Sequence, residues 1–170
     1  MRVAAVVVLA SALAGCGYHV GGRGDLIPAK VRTIAIPAFA NTTSRYKLTE
    51  LLPGAIGREF ISRTKYRIVA KEEEADAVLK GAVVNFFTAP TIFDQRTGRA
   101  AGIQIMVYMN LTLVEKGTGK VLYQRDNLEI RGRYEVATDQ EQYFDESGVA
   151  LQRLSQEISK QVVSSILEAF

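Results

Sequence analysis

From Ile103 to Val114 the chain is apolar at every second position: Ile103, Ile105, Val107, Met109, Leu111 and Leu113. The residues between them, Gln104, Met106, Tyr108, Asn110 and Thr112, are more polar. Strand side chains alternate between two faces, so a period of two held over this length specifies a β-strand with one buried face and one open face. A single strand cannot bury its own apolar row. The rest of the chain must supply strands to pair with it and a layer to cover it.

The covering layer has a different period. Leu151, Leu154, Ile158, Val162 and Ile166 recur at steps of three and four. They form one apolar stripe on a helix that runs to about Ala169, with Asp145 or Ser147 as its cap. Leu48, Leu51, Leu52, Ala55, Ile56 and Phe60 repeat the pattern in an earlier helix, Leu48 to Arg63. Thr49 is its expected cap, which puts Pro53 in the first turn, where a missing N–H costs little.

Further strands are predicted over Val31–Phe39, Tyr66–Ala70, Val78–Thr88 and Lys120–Val136. Val78–Thr88 is apolar at both parities, which predicts cover on both faces, at least in part. In the last strand Leu122, Leu128, Ile130, Tyr134 and Val136 share a parity that Gln124 and Asp126 interrupt. A bulge or break is therefore expected between Arg125 and Asn127. Gly117-Thr118-Gly119 makes the turn into this strand, and Asn41-Thr42-Thr43 is a polar turn before the first helix. The adjacent Glu72, Glu73 and Glu74 read as a solvated turn or the acidic start of a short helix. Ala89–Gly102 has no periodicity and contains Pro90, Phe93, Asp94, Arg96, Gly98 and Arg99. It reads as a long hairpin loop, a kind of connection that often carries function. The order β-α-β-β-β-β-α gives an α+β fold: two amphipathic helices packed on one face of a mainly antiparallel sheet of about four strands.

Upstream of this domain lies a leader. Arg2 is a minimal basic region, and Val3 to Leu13 is an apolar run of about 11 residues, well short of the roughly 20 needed to span a bilayer. Leu13-Ala14-Gly15-Cys16 closes it on the chain's single cysteine. Small residues ending in cysteine after an apolar run resemble a bacterial lipobox. Residues 1–15 then form a lipoprotein signal peptide and Cys16 becomes the lipid-bearing first residue. Residues 16–30, rich in glycine, form a flexible tether, and 31–170 a single domain. Gly17 after the cysteine, rather than aspartate, points to the outer membrane.

The remaining chemistry is sparse. Net charge is +3, from 21 basic and 18 acidic residues, and no basic block is interleaved with aromatics. Nucleic acid is not an expected partner. The lone histidine, His19, lies on the tether, so neither a common zinc site nor a His-based catalytic triad can be built. No glycine-rich phosphate loop joins a strand to a helix. The chain is expected to be a binding or assembly protein without cofactor, metal or catalytic residue.

Cys16-Gly17-Tyr18-His19 after Leu-Ala-Gly resembles the CG(F/Y) opening of the LptE family of lipopolysaccharide-assembly lipoproteins. The likeness continues through Ile34 to Thr42 (IAIP, then Phe39, Asn41 and Thr42), the helix after it, ADAVLKG at Ala75 to Gly81, and the strand pair before the long final helix. It covers essentially the whole mature chain, although Val31 to Gly81 is also similar to periplasmic domains of curli-secretion and Tol-type proteins. The resemblance implies an outer-membrane lipoprotein that plugs and helps assemble the β-barrel LptD and contacts lipopolysaccharide. Phe93, Arg96 and Arg99 in the long loop are the first candidates for those contacts, and Arg131 and Arg133, of like parity on a strand, the second. Guanidinium groups suit lipid phosphates through charge-assisted hydrogen bonds. The other reading is a pilot or structural lipoprotein of a secretin- or curli-like complex.

Overall fold

A computed structural model describes residues 27–28, 30–95, 98, 100–135 and 148–169. Its elements are β1 (Thr33–Ala35), β2 (Ala40–Asn41), α1 (Tyr46–Arg63), β3 (Arg67–Val69), β4 (Ala77–Phe93), β5 (Ala100–Glu115), β6 (Val121–Glu135) and α2 (Gly148–Leu167), with a short 3-10 turn at Glu72–Glu74. The strands form one sheet in the order β3-β1-β4-β5-β6, and β2 joins β4 alongside. The two helices pack against the sheet, so the α+β class holds. The sheet has six strands rather than about four, and β1 pairs in parallel with both β3 and β4, as does β2 with β4. Among the described strands, β4–β5 and β5–β6 are the antiparallel pairs.

The expected strand Val31–Phe39 is two short strands, β1 and β2. Pro37 between them has no N–H to give to a ladder. The break turns Phe39 onto the sheet, where a Cβ added at Gly81 would lie 2.4–2.6 Å from its ring. The first helix begins at Tyr46, not Leu48, and Thr49 is not its cap. Thr49 is buried within the helix, and its hydroxyl donates to the carbonyls of Arg45 and Tyr46. Pro53 consequently stands in the helix interior, not the first turn. The polar turn sets the start instead: Asn41 Oδ1 accepts from the Thr43 amide and hydroxyl, and Thr43 Oγ1 accepts from the Arg45 amide.

β5 buries Ile105, Val107, Met109, Leu111 and Leu113 against the helices, as its alternation predicts. Each such side chain, fully buried, contributes about 1.5–3 kcal/mol. α2 closes this core with Leu154, Ile158, Val162 and Ile166, and buries Val163 and Leu167 beside them. α1 adds Leu48, Leu52, Ile56 and Phe60. The helices pack on each other, and Arg63 at the end of α1 donates to Ser164 Oγ at 2.8 Å. The caps expected at Asp145 or Ser147 lie outside the described residues.

Two bulges reverse side-chain parity. In β4 the register shifts between Val83 and Asn85, so the buried set passes from Leu79 and Val83 to the half-buried Phe86. In β6 the register shifts opposite Met109 and Leu111, within the span predicted for it. Asn127 there has φ 53, and its amide donates to Asn110 Oδ1 at 2.8 Å. The buried face passes from Tyr123 to Ile130. β4 is covered on both faces only at its start, where Val78 packs with Ala35 and Ala75 in a second small cluster.

The long loop is shorter than expected. β4 and β5 stay paired out to Phe93 opposite Ala100, so most of Ala89–Gly102 is strand. Beyond Val83 no described strand pairs with the other edge of β4, so Pro90 can stand in it without removing a ladder hydrogen bond. Register shifts on both sides of Ile92 absorb the irregularity. Ile92 lies across Gly102, where an added Cβ would be 3.1 Å away. The hairpin is about 50 Å long at the usual rise per residue.

Candidate functional site

The helices take one face of the hairpin and β6, and the residues of opposite parity face away from them. Three rows cross this second face in register. Asn85, Tyr108 and Glu129 form one, Phe87, Met106 and Arg131 the next, and Ala89, Gln104 and Arg133 the third. Phe87 is 48% exposed and meets Tyr108 edge-on, with ring centroids 6.0 Å apart. Arg131 Nε donates to Glu129 Oε1 at 2.5 Å, and that carboxylate raises the guanidinium pKa further. Phe87, Arg131 and Arg133 are exposed, and Tyr108, Met106 and Gln104 between them are half-buried. The surface combines apolar rings and a thioether with two guanidinium groups, a mixture suited to an amphiphile with acyl chains and phosphates.

Of the residues singled out in the sequence, Arg131 and Arg133 are thus brought together on one face. Phe93 is at the end of β4, 57% exposed, near the hairpin tip rather than in a loop. Cys16, Arg96 and Arg99 lie outside the described residues. The periodicity missed Phe87 and Met106. Phe87 changes face because of the β4 bulge, and Met106 reads as a polar-face residue until its neighbours in register are known.

At the opposite end of the sheet, Asp76 and Glu115 both line a cleft of about 470 Å³ with Lys30, Lys116 and Thr118. Two carboxylates in one cleft are the arrangement general acid–base chemistry uses, but both are already engaged. Asp76 Oδ2 accepts from the Arg32 amide at 2.8 Å and from the hydroxyl and amide of Thr33 at 2.9 Å each. The Arg32 amide, then the Thr33 hydroxyl and amide, hold its carboxyl below the ordinary value. Glu115, whose side chain is only 7% exposed, pairs with Lys30 at 2.7 Å and accepts from the Thr118 hydroxyl. Lys30, then Thr118, push its pKa down as well. Groups held ionised in this way are poor proton donors at neutral pH. They fasten the β5–β6 turn and the β4 entry to the N-terminal segment, whose Ile27 is buried in the main core ahead of the expected domain start at Val31. Among the described residues no group of three His, Cys, Asp or Glu is placed to hold a metal, and no helix is long and apolar enough to cross a membrane.

The fold is shared with solved lipoproteins. It matches uncharacterized lipoprotein B from Nitrosomonas europaea with a TM-score of 0.52 at 11% identity, covering 81% of this chain and 83% of that one. Protein XCC0632 from Xanthomonas campestris matches with a TM-score of 0.51 at 14% identity over 82% and 88% of the two chains. A putative lipoprotein from Caulobacter crescentus gives 0.50 at 13% identity over 79% and 87%. At such identities these likenesses establish the fold alone. No curated protein matches the sequence. The model of the LptE family, described as lipopolysaccharide-assembly, matches residues 31–166 and so takes in every described strand, α1 and all but the last residue of α2. The chain belongs to the LptE family.

Proposed function

We propose that this protein is an outer-membrane lipoprotein, anchored through acylated Cys16, that fits inside the barrel LptD, helps it assemble, and contacts lipopolysaccharide with the sheet face turned away from the helices. One observation carries the reading. The uncovered face presents Phe87, Met106 and Arg131 in one row with Arg133 in the next, so rings, thioether and cations face one partner together. Family membership supplies the pathway. The leader ending at Cys16 supplies the anchor, with residues 16–30 as the link to the domain. Phe93, exposed near the hairpin tip, and Arg96 and Arg99, which follow it in the sequence, are the further candidate contacts.

The role is assembly rather than catalysis, because in the cleft that brings Asp76 and Glu115 together both carboxylates are committed to the fold. The test is co-purification from detergent-solubilised outer membrane, with lipopolysaccharide binding measured on the same samples. Wild-type protein brings down a large barrel of the lipopolysaccharide pathway. Charge reversal at Arg131 and Arg133, or at Arg96 and Arg99, reduces lipopolysaccharide retention or barrel recovery by about tenfold. Recovery of a secretin- or curli-like pore instead, or wild-type behaviour of both double variants, overturns the reading.

A further inference from the structure

β1 and β3 start side by side at the end of the sheet where the chain enters the domain. The Arg67 amide donates to the Arg32 carbonyl at 3.0 Å, and the Val31 amide to the Pro28 carbonyl at 2.8 Å. Between these starts lies a cleft of about 340 Å³ lined by Val31, Arg32, Lys65, Tyr66 and Arg67. Val31 is buried and Tyr66 packs against the main core, so the wall behind the cleft is apolar and held in place. Arg32, Lys65 and Arg67 are exposed around it. Three of the five lining residues are cations and none is acidic.

Several charged groups nearby are already engaged. Asp76, which faces Arg32, is occupied by the amides of Arg32 and Thr33 and by the Thr33 hydroxyl. Arg63 is paired with Glu59 at 3.7 Å and bonded to Ser164. Lys30 is taken by Glu115. The Thr33 hydroxyl also reaches the Glu74 backbone carbonyl at 3.3 Å. Among the described residues none of the three lining cations makes an ion pair with a carboxylate, which leaves them able to take an anion from outside. Val31 and Arg32 directly follow the segment that enters at Ile27. Fully extended, residues 16 to 26 reach at most about 40 Å, so a lipid on Cys16 keeps this end of the domain within that distance of the bilayer surface.

We propose that the cleft between the starts of β1 and β3 binds the phosphate of an anionic glycerophospholipid headgroup in the leaflet that holds the protein's own lipid. The inference rests on the lipoprotein reading above. The guanidinium groups of Arg32 and Arg67 donate to the phosphate oxygens, Lys65 adds a mobile charge, and Val31 and Tyr66 lie against the glycerol and first acyl carbons. Bound in this way, the domain is fixed at two points, by its acyl anchor and by its cleft. It stands with the hairpin tip at the end away from the leaflet.

The experiment is native mass spectrometry of the full chain released from membranes in mild detergent, titrated with short-chain phosphatidylglycerol, phosphatidylcholine of the same chain length, or glycerol phosphate. Phosphatidylglycerol is expected to bind at least about tenfold better than the other two. The double variant R32Q/R67Q is expected to lose about tenfold of that affinity, with a little-changed melting temperature, because the Arg32 amide, which the variant keeps, is the main hold of Arg32 on Asp76. K65E, an exposed turn substitution, is the second variant and is expected to weaken binding likewise. Equal binding of the two phospholipids, or wild-type affinity in both variants, refutes the site. Glycerol phosphate binding as well as phosphatidylglycerol refutes the headgroup assignment, and displacement by stoichiometric lipopolysaccharide refutes the leaflet as source. Barrel co-purification of the same variants separates this inference from the reading beneath it. Variants that keep the barrel but lose phosphatidylglycerol support the cleft as an independent site, whereas loss of barrel recovery with phosphatidylglycerol binding intact refutes it.

Discussion

The two stretches that carry the family likeness in the first half of the chain meet at one contact. Phe39, from IAIP-x-F, lies with its ring over Gly81, the last residue of ADAVLKG. A Cβ at Gly81 would stand 2.4 Å from Phe39 Cε2 and 2.6 Å from Cδ2 and Cζ. Ordinary contact begins near 3.4 Å, so Gly81→Ala forces the ring back by about 1 Å, and the ring is only 7% exposed. Overpacking of this kind costs about 1–3 kcal/mol, offset by the about 0.5–1 kcal/mol that alanine gains over glycine in a strand. A net loss of about 1–2 kcal/mol is expected. Phe39→Ala alone removes a buried ring and costs about 3–5 kcal/mol. In that background Gly81→Ala meets no ring and is neutral or stabilising by up to about 1 kcal/mol. The double-mutant cycle in urea, followed by far-ultraviolet circular dichroism, therefore gives a coupling of about 2 kcal/mol between the two sites. Additivity to within about 0.5 kcal/mol would mean that the ring does not rest on Gly81, and that the argument for glycine there is wrong.

Other consequences can be measured on the same protein. Asp76 and Glu115 have folded pKa values below their ordinary 3.8 and 4.5, so they stabilise the fold above those values and the contribution is lost as pH falls through the folded ones. Urea midpoints should hold steady from pH 7 to about 5 and then drop, with D76N and E115Q less stable at pH 7 and shallower in that drop; parallel profiles for wild type and variants would refute the linkage. Tyr123→Phe removes the hydroxyl that meets Ser165 Oγ at 2.9 Å and should cost about 0.5–1.5 kcal/mol by urea unfolding, with little loss in an S165A background. Leu111→Ala at the centre of the buried face of β5 should cost about 2–5 kcal/mol, whereas Thr112→Ala on the other face should change the midpoint by no more than about 0.5 kcal/mol.

What could be read from the residues was set by how regular the chemistry is. The unbroken alternation of β5 and the stripe of α2 identify the two elements that meet at the core, because each has a long run of one period. β4 and β6 were harder for one physical reason: an inserted residue at each bulge moves every later side chain to the other face. In β6 the polar Gln124 and Asp126 marked the place. In β4 the insertion falls at Val84, among apolar residues, so the shift looked like a strand covered on both sides. Pro90 and Gly102 suggested loop, yet both serve the hairpin. The proline sits on an edge with no described partner, and the glycine makes room for Ile92.

The same shift decides how much of the candidate surface is visible from sequence. Arg131 and Arg133 follow the β6 bulge and share a parity that can be counted. Phe87 joins them only through the β4 bulge, and Met106 only through its register with both neighbouring strands. Were Val84 paired in a regular ladder instead of bulged, Phe87 would turn toward the helices and Phe86 would turn out. Arg45, whose guanidinium lies 5.3 Å from the Phe86 ring, would then lose its aromatic partner. One residue therefore settles two things together, which ring closes the core beneath the start of α1 and which stands beside Met106 and Arg131 on the open face. Phe87→Ser tests that dependence. The variant keeps the bulge and every cation on the open face but removes the ring beside Met106, and retention of lipopolysaccharide should fall. Unchanged retention would mean that the arginines act without the ring row, and that the mixed apolar and cationic character of the face is not what a partner recognises.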